Sequence, residues 1–445
     1  MPTLFVQPAQ PTALSDKYAV KLPGHELWAT MIQNVHILVG SLDVEEFSAA
    51  LSKTLQLWPH AAGRLTDDDG KYKIYLTNDG VPVEFEERPH ESTSSVVLDA
   101  HVIQSDLSGL LNSPRQRSAL DFDVPLLRLK VVSFRDETTL GISWNHTLGD
   151  ATAFFRFTHA FSQFYQGIHL VYPPPTFEKP VFSEPSECTI EELRPLMYYL
   201  HELYSEEELG KKYSEREHTS ERVDWFFERQ GLETLCDSLR QRSPSAASRL
   251  SIHDSLSAYI VTVINRILPS QIRKIKATDS YRFSGASFAF PDVAGNAIID
   301  ALTTLPENPT DMLGIATSIR ETLTHYRQHE VISTWMSVVS HLMLAAAKAG
   351  KSFYYPPSTE IMPVNSMVAI DWSSAHFGQP ESHRHHMSGH GLLYLRVFGA
   401  NPWRGDDGSW HSPEGRIDIS IGVPQGCRQK MLDILAQGFD SIKTG

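Results

Sequence analysis

From Asp43 onward apolar residues recur every three or four positions, at Phe47, Leu51, Leu55 and Trp58, behind an aspartate able to cap, which predicts a helix to about Trp58. Between Lys71 and Thr77 the period falls to two, with Tyr72, Ile74 and Leu76 on one side, as in a half-buried strand, and Asn78-Asp79-Gly80 supplies a turn. Leu126–Phe134 and Thr138–Trp144 are rich in β-formers and separated by Arg135-Asp136-Glu137, the pattern of a hairpin. Ala151–Tyr165 returns to helical spacing and is dense in aromatic residues. The segment Tyr172–Pro185 carries five prolines and reads as a surface connection, followed by acidic helical stretches from Thr189 to about Glu221.

The second half repeats the mixture. Ser251 and Asp254 form a capping-box pattern ahead of a helix to about Leu268. A strand near Tyr281–Phe290, a helix over Asp311–Gln328 and strands at Leu392–Phe398 and Arg416–Gly422 follow, and Pro424 is placed to open a last helix through Gly438. A chain of 445 residues exceeds the usual size of a single core. Two α+β halves are therefore expected, a mixed sheet flanked by helices in each: residues 1–185, a crossover linker over 186–220, and residues 221–445. No short-period repeat and no glycine fingerprint of a dinucleotide fold is visible.

Composition narrows the function classes. Hydrophobic residues at 41% and charged residues at 21% suit globular packing. The net charge of −14 argues against nucleic acid or an anionic membrane as partner. Three scattered cysteines (Cys188, Cys236, Cys427) give neither a disulfide framework nor a zinc spacing. With no signal-peptide pattern at the start and no apolar run approaching about 18 residues, the cytoplasm is the expected location. A monomer is the expected state.

The stretch that carries chemistry is Trp144-Asn145-His146-Thr147-Leu148-Gly149-Asp150, between a β-rich run and a helix start. A histidine there can take and return a proton near neutrality. With 20 histidines in the chain, chance supplies about one His-x-x-x-Asp, so the spacing alone describes an ordinary loop histidine beside an N-cap aspartate equally well.

Context favours the first reading. Pro59-His60-Ala61-Ala62-Gly63-Arg64-Leu65, His146 to Asp150, Gly295-Asn296-Ala297, and Asn365-Ser366-Met367 ten residues ahead of His376-Phe377-Gly378 occur in the order of four elements of one family. The chain resembles the BAHD acyltransferases, in particular the divergent fungal branch of specialised metabolism. The resemblance implies two chloramphenicol-acetyltransferase-like domains with a channel between them, which admits an acyl-CoA thioester as co-substrate and a small acceptor from opposite faces. No permanently bound cofactor and no metal are implied. His146 would deprotonate the acceptor hydroxyl or amine, which attacks the thioester directly, without an acyl-enzyme. Asp150 would turn away from the channel and pair with Arg282, as structural support. Asn365 and Ser366 are the candidates for stabilising the oxyanion.

Two elements depart from the family pattern. His376-Phe377-Gly378-Gln379-Pro380 stands where the family has D-F-G-W-G, and Met367 replaces a tryptophan. A repurposed, non-catalytic relative that binds a metabolite or CoA ester therefore remains an alternative, as does a condensation-domain-like enzyme, although Asn145 replaces the first histidine of that motif. The tract His383, Arg384, His385, His386, His390 reads as a loop, better suited to attracting the CoA phosphates than to binding a metal. Gly24, His25 and Trp28 could border the acceptor side, with core packing preferred for Trp28. Phe154 and Phe155 are expected in the core.

Overall fold

The computed structural model describes residues 3–10, 19–95, 97–98, 101–102, 107–112, 120, 122–216, 219–242 and 250–439. The predicted helix forms as Val44–Leu57, with Asp43 accepting from the backbone N–H groups of Glu45 and Glu46. The hairpin forms as Leu127–Phe134 paired with Glu137–Asn145, and the aromatic helix as Ala151–Gln166. In the second half the Ser251–Asp254 capping box opens Ile252–Ile267, and Asp311 caps Met312–Tyr326. These are elements whose signal is local: a cap plus a periodic apolar face.

Each half is built on a six-stranded mixed sheet, as expected of two α+β domains. The N-terminal sheet runs Thr3–Val6, Val81–Arg88, Leu127–Phe134, Glu137–Asn145, Met31–Val39 and Arg384–Met387. The C-terminal sheet runs Ser220–Glu228, Arg416–Pro424, Leu395–Gly399, Ile361–Ser366, Lys274–Ser280 and Ile298–Thr304. One core gathers Phe47, Trp58, Trp144, Phe154, Phe155 and Phe161 against the first sheet. The other gathers Tyr259, Ile275, Trp335, Met362 and Ile419 against the second.

Several expectations are corrected. The segment 221–445 contributes one strand to the N-terminal sheet. The strand Arg384–Met387 crosses over to pair with Met31–Val39, while Met367, Trp372 and Phe377 join the N-terminal core. The tract is thus for the most part buried, with Arg384–Met387 a strand rather than a loop and only His390 in the loop beyond: His383, His385 and His386 are all at most 7% exposed. Burial pushes His383 and His385 well below the usual imidazole range, so they are neutral and offer no cationic surface to phosphates. Local periodicity misses this strand because its residues are polar by type and are buried against one another, His36 Nδ1 lying 3.0 Å from His383 Nε2.

The strand expected at Tyr281–Phe290 lies earlier, at Lys274–Ser280. Residues from Tyr281 instead curl around the Arg282 guanidinium, which donates to the carbonyls of Val293 at 2.7 Å and Gly295 at 2.9 Å. The acidic stretch contains the helices Glu187–Leu193 and Glu206–Arg216, but chain from Ser220 is already strand. Pro424 ends a strand, and the last helix starts four residues later as Arg428–Ala436. A further helix, His329–Lys348, was not anticipated. By length and composition it could cross a membrane, contrary to the expectation that no segment could, but Ile332, Trp335, Met336 and Val339 are buried in the C-terminal core.

Candidate active site

At the end of Glu137–Asn145 the Asn145 side chain accepts from the Thr147 N–H at 3.0 Å and hydroxyl at 2.8 Å, and so folds the chain into the single turn His146–Leu148. Gly149 follows at φ 142°, a conformation that favours glycine, with Gly295 N 3.0 Å from where a Cβ would stand. Asp150 then caps the aromatic helix, its Oδ1 accepting from Thr152 and Ala153 N–H at 3.0 Å each. From the Pro59–Leu65 segment, His60 Nε2 contacts the Leu148 carbonyl at 3.1 Å, supporting this loop from the other side. Burial lowers the His60 pKa to about 3, which keeps it neutral.

Asp150 borders the cavity beside His146, contrary to the expectation that it turns away from the channel, but its two oxygens are already engaged. Arg282 Nη2 donates to both of its oxygens at 2.9 Å, and Ala297 N–H donates to Oδ2 at 2.9 Å. Burial pushes this carboxyl up, but the guanidinium and the backbone donors prevail and hold it below its ordinary value. Asp150 and Arg282 are 2% and 0% exposed, so the pair ties the loop of one half to a turn of the other in a site without water to screen it.

The imidazole of His146 is fixed by a separate chain of contacts. Its Nδ1 lies 2.8 Å from Asn296 Oδ1. The Asn296 Nδ2 group donates to the His146 carbonyl at 2.9 Å and to Glu26 Oε2 at 2.7 Å, and Asn296 N–H also donates to Glu26. Because carbonyl and carboxylate oxygens only accept, Nδ2 must face them, Oδ1 must face the ring, and Nδ1 must carry the proton. The lone pair is thereby confined to Nε2. Burial lowers the His146 pKa despite the opposing charges of Asp150 and Glu26, keeping the ring neutral and basic at pH 7.

Glu26 is itself fully buried, with Lys179 Nζ 3.6 Å away. Burial raises the Glu26 pKa and lowers that of Lys179, and each opposes the other's shift. Lys179 also donates to the Ala294 carbonyl. Gly295 is required at this point, since a Cβ there would lie 2.5 Å from both Glu26 Oε1 and Lys179 Nζ.

His146 borders an open cavity between the two halves. Trp28 lies 2.8 Å through Nε1 from the His25 carbonyl and stacks on the His146 ring at 5.2 Å; it lines the cavity, so core packing is not its whole role. Gly24 and His25 are buried against helix His329–Lys348, where His25 N–H donates to Ser340 Oγ at 3.3 Å. Phe154 and Phe155 are core residues. Of the two oxyanion candidates, Asn365 lines the cavity and donates to the Tyr394 hydroxyl at 3.2 Å. Ile361, Pro363, Asn365 and Met367 alternate along that wall, so Ser366 points to the opposite face of the sheet and does not join His146. His376-Phe377-Gly378 is away from the cavity, with Phe377 packed on Phe161 at 4.9 Å. No group of acidic, histidine or cysteine side chains among the described residues is arranged to hold a metal.

Sequence reasoning misses Glu26, Lys179 and the role of Asn296, although Gly295-Asn296-Ala297 is one of the four family-like elements. A lone glutamate in an apolar context, His25-Glu26-Leu27-Trp28, was the signal available.

The model of the family described as Transferase family matches residues 35–265. No curated protein sequence matches the chain. Among solved structures, vinorine synthase is similar at 15% identity and a TM-score of 0.65, with 98% of each chain covered. The Fusarium (F. sporotrichioides) TRI101, complexed with coenzyme A and T-2, is similar at 15% identity and a TM-score of 0.65, covering 95% of this chain and 98% of that one. The starter condensation domain of rhizomide synthetase, complexed with C8-CoA, aligns at 12% identity and a TM-score of 0.53, over 92% of this chain and 89% of that one.

Proposed function

The chain belongs to the Transferase family, that of the BAHD acyltransferases, and from that premise we propose that it moves an acyl group from a CoA thioester to the hydroxyl, or amine, of a small apolar metabolite. Within the family the proposal assigns it to the fungal-type, specialised-metabolism branch that its motifs resemble.

The observation that carries the proposal is the forced tautomer of His146 beside a cavity shared by both halves. In the proposed reaction Nε2 takes the proton from the acceptor as its oxygen attacks the thioester carbonyl. The Nδ1–H bond to Asn296, backed by Glu26, supports the imidazolium that results. The tetrahedral oxyanion collapses, the C–S bond breaks, and the imidazolium returns its proton to the CoA thiolate. The ring is again neutral and no covalent enzyme species forms. The amide of Asn365 supplies a donor to the oxyanion, a contribution of several kcal/mol in comparable sites. Two substrates must meet at about 3–3.5 Å, which needs a cavity open to both. Asn145, which stands where the condensation-domain motif has its first histidine, is here a turn cap.

The test is thiol release from acetyl-CoA and longer acyl-CoA esters in the presence of a library of apolar alcohols and amines. Wild-type protein should release thiol with an equal yield of acylated acceptor, and His146→Ala should be slower by about 10²–10⁴. Equal turnover by the variant, with its fold intact by circular dichroism, would remove the general-base role. Saturable CoA-ester binding with no transfer to any acceptor would favour the non-catalytic reading.

A further inference from the structure

One wall of the cavity is polar in a way that neither the transfer step nor the His146 support uses. Lys276, on the strand Lys274–Ser280, and Asp300, on Ile298–Thr304, both line the cavity and are each 6% exposed. Their side chains form an ion pair at 3.0 Å. Asp300 also accepts from Thr278 Oγ1 at 2.9 Å and from the Tyr355 hydroxyl at 3.0 Å, so both of its oxygens are engaged. The Lys276 ammonium has three N–H groups and a single carboxylate partner, with the Tyr355 ring 4.6 Å away. Asp300 thus holds a buried donor in place, and that donor has hydrogen-bonding capacity left over.

The strand geometry bounds how far Asp300 lies from the residue that holds His146. Asn296, which holds His146, lies four residues before Asp300 on the same run of chain into Ile298–Thr304. At about 3.3 Å per residue the separation is at most roughly 13 Å. Across the neighbouring strands Thr278 is level with both Asp300 and Asn365, and Lys276 lies two residues further from the catalytic end. Towards the catalytic end the cavity presents Ile298 and Met367, while Pro363 is level with Lys276 and Ile361 lies beyond it.

We infer that Lys276, held by Asp300, is a specificity-determining donor that reads a neutral oxygen at the far end of a rigid apolar acceptor on the order of 10 Å long. Such an oxygen is a ketone, ether or second hydroxyl. A carboxylate is disfavoured, because Asp300 already neutralises Lys276 and would repel a second anion. The assignment rests on reading the cavity as the acceptor's site in acyl transfer, and it adds to that reading both the class of acceptor and the origin of its orientation. The donor's pantetheine arm also carries carbonyl oxygens; the apolar walls on either side favour the acceptor, and the experiment separates the two.

The probes are a matched pair of tetracyclic steroids with one 3-hydroxyl, one bearing a 17-ketone and the other lacking it. Both are offered to wild-type protein and to a double variant, Lys276→Met with Asp300→Asn, which removes both charges together and leaves an amide whose oxygen accepts from one of the Thr278 and Tyr355 hydroxyls and whose N–H donates to the other. With acetyl-CoA as donor, wild type should prefer the ketone by about tenfold or more in kcat/KM, the effect expected of a hydrogen bond from a charged donor. The ratio should fall towards one in the double variant. Equal use of the two probes by wild type, or a preference that survives in the variant, overturns the proposal. A raised KM for acetyl-CoA with the preference intact assigns the cluster to the donor arm and also overturns it. Calorimetric binding of the same pair needs no turnover and so separates this proposal from acyl transfer itself. A tenfold difference in affinity that the variant abolishes supports the donor role even where no thiol is released, and failure of both steroids to bind rejects the proposed acceptor class.

Discussion

At the scale of single residues, the most consequential atom is Asn296 Oδ1, because it decides which imidazole nitrogen can act as a base. Its orientation is imposed by Glu26, an acceptor that the Asn296 Nδ2 group must face. Glu26→Gln offers an amide that can present N–H where only an acceptor fits, and it removes a negative charge that raises the His146 pKa. The expected result is a lower kcat together with a downward shift of the acid limb of the pH–rate profile. In wild type that limb already lies below 6.5, since burial depresses the His146 pKa and activity needs the neutral ring. A variant with reduced activity but an unmoved limb would limit Glu26 to a packing role.

At the scale of elements, the site is a junction between a strand–turn–helix from one half and a buried turn from the other. Asp150 serves both: one oxygen caps Ala151–Gln166, and both oxygens engage Arg282. Asp150→Asn retains an acceptor for the cap but leaves Arg282 as a buried cation without its counter-charge. Breaking a pair of this kind typically costs about 3–5 kcal/mol. The expected outcome is a fall in unfolding free energy of that order in denaturant titrations, accompanied by lost activity. A variant as stable as wild type would show that Arg282 is adequately held by its backbone carbonyl partners alone. Gly149 and Gly295 belong to the same junction, one for its backbone angle and the other for the space that Glu26 and Lys179 occupy.

At the scale of the whole molecule, the strand Arg384–Met387 makes the two halves interdependent and buries a group of neutral histidines. Burial pushes His25, His36 and His60 down to about 3, and His383 and His385 well below the usual range. Below about 6.5 these five bind protons in the unfolded chain but not in the folded one. The unfolded state then holds more protons, so stability is full above about 6.5 and falls as the pH drops towards 3, by up to ~1.4 kcal/mol per pH unit for each histidine. Asp418, pushed up to about 7 by burial, and Glu26, also raised by burial, act in the opposite sense and are outnumbered by the buried histidines. Melting temperatures measured from pH 7.5 to 5, above the range of ordinary carboxylates, should decline steadily. A flat profile would mean that the histidines remain protonated in the fold.

What the sequence determined by itself lies close along the chain. The helices from Val44, Ala151, Ile252 and Met312 each announce themselves by a cap and an apolar face, and the hairpin by two β-rich runs about a polar turn. The His146–Asp150 segment and the Asp150–Arg282 pair were legible through ordered motifs, even though the pair is 132 residues apart in sequence. Tertiary structure alone decided what depends on facing direction and on partners distant in the chain. It turned Asn365 towards the cavity and Ser366 away, brought Glu26 to Asn296 across 270 residues, and buried a histidine-rich strand in the sheet of the other half. The physical reason is that a polar residue's burial is set by the partner it meets, and no local periodicity encodes that partner.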